Sequence, residues 1–303
     1  TSGTSNLRLG VNAGNSIASG GNYNVCIGDE AGTALTTGDN NTLVGAFTGD
    51  ALIDASHNTA FGISALGADT KGRKSVAIGE GTLQFQNFTS STDSHNTAVG
   101  YEAGNDVTTG NNNTLIGANA GDKLTTALYN TAVGAESLGA DTTGSRSTAI
   151  GYAALGVQNF SSGNTETGNT AVGFEAGSAV STGTGNTLIG TNAASSLTSG
   201  TNNVFIGQNA GASDAGISGE QVAQTTTNCV VVGKACQVSA TNADSQVVLG
   251  FECTGASNTS LTFGKSTTDS NIDFGGTSIT TPSDERYKEN IETSTAGLGF
   301  IND

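Results

Sequence analysis

Asn96-Thr97-Ala98-Val99-Gly100 decides the fold of this 303-residue chain, because variants of the phrase return sixteen times along it. Their closing glycines are Gly10, Gly28, Gly45, Gly62, Gly79, Gly100, Gly117, Gly134, Gly151, Gly173, Gly190, Gly207, Gly233, Gly250, Gly264 and Gly275. The commonest step is 17 residues, as from Gly28 to Gly79 and from Gly100 to Gly151. A fixed period of that length implies a stacked solenoid, in which each coil buries its apolar face only against its neighbours.

Within the phrase, the fourth position is never polar, running from Leu9 through Val99, Ile116, Val133 and Ile150 to Phe274. The third is mostly Ala, Leu, Val or Phe, as at Leu43, Ala60, Leu115, Ala132 and Phe205, and turns polar at Arg8, Thr262 and Asp273 near the ends. Successive residues of a strand point to opposite faces, so both faces are apolar. One face fills the coil. The other needs a partner, since strands apolar on both sides are buried on both sides. The expected architecture is therefore all-β: a repetitive parallel β-roll or β-solenoid with coils of about 17 residues, forming a homotrimer around a shared axis. Glycine in the fifth place permits positive φ at the strand exit. The first place is Asn in most coils and Ser at Ser75 and Ser147, where stacked amides hydrogen-bond along the ladder and Asn suits left-handed turns.

A longer period overlies the short one. Gly28, Gly100 and Gly173 each open a Gly-x-Glu-Ala-Gly segment. Gly62 and Gly134 precede Leu-Gly-Ala-Asp-Thr (Leu66 to Thr70, Leu138 to Thr142), and Gly79 and Gly151 precede Gln-Asn-Phe in an enlarged loop. Four coils have duplicated as a block. Beyond Gly207 the spacing loosens to 26, 17, 14 and 11 residues. The chain divides into regular repeats over 1–207, an irregular tapering transition over 208–282, and a distinct segment over 283–303.

Ten Lys and Arg against 26 Asp and Glu give a formal charge of −16, which disfavours nucleic acid and anionic membrane as partners. No apolar run of about 18 residues is present, so no membrane insertion is expected. The chain opens at Thr1 without Met or a signal peptide, which reads as a fragment or processed product whose targeting is not legible. Cys26, Cys229, Cys236 and Cys253 lack the close pairing of a zinc site, and Cys26 stands where other coils carry Ala or Leu.

The repeated Asn/Ser-x-Ala-Val/Ile-Gly strand, over roughly residues 5–275, is similar to the head domain of trimeric autotransporter adhesins. That resemblance implies a left-handed parallel β-roll of three chains. A second stretch, Pro282 followed by Ser283-Asp284-Glu285-Arg286-Tyr287-Lys288-Glu289-Asn290-Ile291, resembles the opening of the endosialidase-type intramolecular chaperone of phage tail fibres and tailspikes. The likeness implies that 283–303 begins such a C-terminal chaperone, which assembles the trimer and then cuts itself off before Asp284. Ser283 would be the nucleophile and Lys288 the base, a desolvated lysine serving if its pKa falls.

These features imply a structural or adhesive virion fibre outside the cell, the distal shaft of a phage tail fibre. Its partners would be two further copies of itself, the rest of the fibre and a host cell-surface glycan or protein receptor. The alternative is a bacterial trimeric surface adhesin or extracellular filament on the cell surface. No enzyme activity beyond a single self-cleavage is expected, and no cofactor or metal. Phe88 and Phe160 on the enlarged loops are candidate receptor contacts by sugar stacking, against the plainer reading that they cover the flank of the roll. His57 and His95, in identical Ser-His-Asn-Thr contexts, read as turn residues rather than metal ligands, and Glu30, Glu102 and Glu175 as a surface acidic column. The threonine column (Thr42, Thr59, Thr97, Thr114 and onward) shares a face with the Val/Ile column.

Overall fold

The computed structural model describes residues 3–163, 165–212, 224–266 and 269–275, and these contain no α-helix. Sixteen short strands form one sheet in sequence order, interrupted only by a two-stranded side ladder between Gly72–Arg73 and Thr92–Asp93. From Leu7–Leu9 to Ser260–Lys265 every neighbouring pair is parallel and in strict register, so that Ala132 stands between Leu115 and Ala149, and Val133 between Ile116 and Ile150. The protein is a β-solenoid. The last strand departs from the sixteen-coil reading: Ser270–Asp273 pairs antiparallel with Ser260–Lys265. The 14-residue step from Gly250 to Gly264 still completes a parallel rung, but the 11-residue step that follows is too short for one, so the chain turns back and caps the ladder as a hairpin.

The third position of the phrase builds the interior. Cys26, Leu43, Ala60, Leu115, Ala132, Leu188, Phe205 and Val248 have no exposed surface. A second core column lies seven residues beyond the ladder glycine, at Ile17, Leu35, Leu52, Val107, Leu124, Val180 and Leu197. Backbone amides are satisfied coil to coil: Gly134 N–H donates to Ile116 O at 2.7 Å and Gly151 N–H to Val133 O at 2.7 Å. The ladder glycines sit at φ near +135°, and a Cβ at Gly134 would lie 2.4 Å from the carbonyl oxygen of Gly151. Glycine is required there by close approach of the next coil as much as by its dihedral angles.

First-place asparagines form the expected amide ladder, fully buried. Asn41 N–H donates to Asn24 Oδ1 at 2.9 Å, and Asn58 N–H to Asn41 Oδ1 at 3.0 Å. Each amide also ties down a turn, Asn41 Nδ2 donating to Ala55 O at 2.8 Å. The left-handed residue is not this Asn but the one before it: Tyr23, Asn40, His57, His95, Asn112 and Tyr129 all have φ between 50° and 63°. The asparagine is selected for its buried hydrogen bonds, and its predecessor absorbs the turn.

In the third and fourth coils of each duplicated block two positions exchange chemistry. Four residues past the ladder glycine, where most coils have Gly, stand Leu66, Leu83, Leu138 and Leu155, with φ between 49° and 55°. Seven residues past it, where most have Leu, Ile or Val, stand Asp69, Gln86, Asp141 and Gln158. The leucines refill the core from the other side, at the cost of a left-handed backbone of order 1–3 kcal/mol each, and free the second column for a buried polar pair.

Candidate functional site

The outward face of the ladder carries the second and fourth positions of each strand. In the single chain the fourth-position side chains are half-buried or exposed: Ile116 is 39% exposed, Ile150 38% and Phe61 57%. Val99, Val133 and Val172 lie between them, half-buried, with the threonine column alongside on the same face. Fifteen parallel rungs at about 4.8 Å make this an apolar stripe on the order of 70 Å long. Contiguous apolar surface of that extent marks an interaction face.

The enlarged loops are held by the polar pair. Asp69 Oδ1 accepts from Gly72 N–H at 2.9 Å and Phe88 N–H at 3.1 Å, and Oδ2 accepts from Gln86 Nε2 at 2.6 Å. Gln86 Nε2 also donates to Ser75 Oγ at 3.0 Å, and its Oε1 accepts from Asn96 Nδ2 at 2.8 Å. The second block repeats this with Asp141, Gly144, Phe160, Gln158, Ser147 and Asn169. Serine replaces asparagine at positions 75 and 147 because the glutamine later in the same coil fills the gap in the ladder.

This anchoring decides the fate of the loop phenylalanines. Phe88 is only 6% exposed, its ring packed where Gly72 lacks a Cβ, and Phe160 is half-buried. Phe88 therefore covers the flank of the roll and does not present a stacking face. The exposed aromatic of the first enlarged loop is Phe85, three residues earlier and 50% exposed, which the Gln-Asn-Phe motif did not single out. Tyr152 and Phe174 stack on adjacent coils with ring centroids 5.4 Å apart.

His57 and His95 are exposed on left-handed turns. Glu30 accepts from Asn12 Nδ2 at 2.6 Å and Thr33 Oγ1 at 2.8 Å, bonds that hold its carboxyl below the usual range. Among the described residues no group of three or more His, Cys, Asp or Glu could hold a metal ion. All four cysteines are free and buried, and burial pushes the Cys26 thiol up to about 11. Ser283, Asp284 and Lys288 lie outside the described residues. No helix among the described residues is long and apolar enough to cross a membrane. No family model, curated protein or solved structure matches the chain.

Burial raises the carboxyls of Asp50, Asp69 and Asp122 above their ordinary value. A raised carboxyl contributes stability in its protonated form, fully present below the unfolded value near 3.9 and lost as pH climbs through the folded value. Glu30, Asp93 and Asp244 are shifted the other way but stand in solvent, where such contacts weigh little. The melting temperature is expected to hold or rise from about pH 7 to about pH 4. A steep fall on acidification, followed by circular dichroism, would contradict this balance.

Proposed function

We propose that the chain is the shaft of a homotrimeric fibre working outside the cell, in its most specific form the distal shaft of a phage tail fibre that meets the host surface. The observation that carries the reading is the outward Val/Ile stripe, continuous along the ladder and half-open in one chain. A β-solenoid with this stripe is suited to a rigid elongated element, and three copies packed on the stripe would remove it from water. The Ser283–Asp284 junction and Lys288 complete the proposal as a maturation point, cut once per chain after three chains associate. A host-surface glycan or protein is the receptor. Multi-angle light scattering of the purified chain tests the assembly: a mass of three chains is expected, and a stable folded monomer would refute the fibre-shaft reading.

A further inference from the structure

The four-coil duplication repeats a concavity as well as a core. In the first block a notch of about 270 Å³ is lined by Phe47, Asp50, Ser64, Gly67, Gln84 and Phe85. In the second, a notch of about 560 Å³ is lined at the corresponding positions by Asn119, Asp122, Glu136, Gly139 and Val157, with Tyr152 added. Both notches open over Gly-Ala pairs, Gly67-Ala68 and Gly139-Ala140, where neighbouring coils carry larger side chains such as Gln84-Phe85 and Asp122-Lys123. Because the coils stack in register, the two notches share one flank, four rungs or about 19 Å apart. The first runs into a second depression of about 640 Å³ that uses Ala68 and Phe85 again, with Asn87, Asp106 and Thr108.

Each notch joins a half-buried aspartate to an exposed apolar or aromatic wall. Phe47 is 46% exposed and Tyr152 43%. Among the described residues no lysine or arginine pairs with Asp50, whereas Asp122 Oδ2 meets Lys123 Nζ at 3.2 Å. Burial without full pairing raises both carboxyls, so each gains from a donor that displaces little charge. The Asn119 Oδ1 atom is likewise buried and has no hydrogen-bond partner. A ligand matching this chemistry offers hydroxyl donors to carboxylate and amide oxygens and an apolar face to an aromatic ring. It is not anionic, because the notches hold carboxylates on a chain of charge −16. It is not a bare metal cation: the first notch offers one carboxylate, and Asp122, Glu136 and Glu175 around the second do not form a group that could hold a metal ion.

We infer that the two notches are tandem subsites for a neutral saccharide, presented twice per chain along one flank of the rod. The assignment deepens the receptor-contact reading and is independent of the trimer, so light scattering decides the one and saccharide retention the other. The full chain would be passed over immobilised gluco-, galacto- and N-acetylglucosamine oligosaccharides, with sialylated oligosaccharides alongside. At least one neutral oligosaccharide is expected to retain it. Ala68→Arg or Ala140→Arg, each filling one notch from an accessible position, should weaken retention roughly tenfold by removing one of two linked contacts. The double substitution should abolish it. Asp50→Ala with Asp122→Ala is a second route to the same loss that leaves the notches open. Failure of every neutral oligosaccharide to retain the parent, retention of sialylated ones alone, or unchanged retention by both double variants would overturn the assignment.

Discussion

Gly134→Ala is expected to destabilise the rod by about 3 kcal/mol or more, although it adds one methyl group. Two penalties fall on the same atom. The residue sits at φ +135°, a backbone region that residues with a Cβ rarely adopt. Its added Cβ would meet the Gly151 carbonyl oxygen at 2.4 Å and the Gly151 carbonyl carbon at 2.6 Å, and both are backbone atoms held by the ladder. Relief would require separating two coils and stretching the bond from Gly151 N–H to Val133 O. Gly163→Ala is the control: Gly163 also has positive φ, at 68°, but nothing lies within 4 Å of its would-be Cβ. That substitution should cost only about 1 kcal/mol. Chaotrope unfolding of the two variants checks the difference, and equal midpoints would show that coil contact does not select the glycine.

The third and fifth positions of the repeated phrase were legible in the sequence because each carries one physical demand that the coils between the two ends share. Burial with no exposed surface admits only apolar side chains at the third, and the approach of the next coil admits only glycine at the fifth. Positions under two alternative solutions were not legible in the same way. Leu66 with Asp69 and Leu138 with Asp141 were visible as a repeated segment, yet their meaning depends on seeing that Gly-then-Leu elsewhere has become Leu-then-Asp. The signal was present at fixed offsets from the ladder glycine. The loop phenylalanines show a different limit. Whether a ring folds inward depends on a space left by a residue distant in sequence, here Gly72 beneath Phe88. Nothing in Gln86-Asn87-Phe88 itself records that space. The terminal hairpin was legible only as one more tapering coil, because spacing alone does not say where a shortened step stops closing: 14 residues still complete a parallel rung and 11 do not.

Val133→Asp should separate assembly from folding, and its comparison with Ala132→Asp gives that outcome its meaning. The two residues are adjacent on the strand Thr131–Val133 and point to opposite faces. Ala132 is sealed between Leu115 and Ala149 with no exposed surface, so a carboxylate there is buried without a partner. Such a change costs several kcal/mol and should prevent the solenoid from forming at all. Val133 is half-open in one chain, where a carboxylate keeps contact with water and the coil tolerates it. In the proposed trimer, where the stripes of three copies would face one another, the same carboxylate beside Ile116 and Ile150 would lose its water and meet two like charges. The expected result for Val133→Asp is therefore a chain that keeps the β-sheet circular dichroism of the parent but loses the three-chain mass in light scattering. Ala132→Asp should lose both. A Val133→Asp protein that assembles and melts like its parent would place the Val/Ile stripe in solvent, and the shared-axis trimer would then have no surface on which to form.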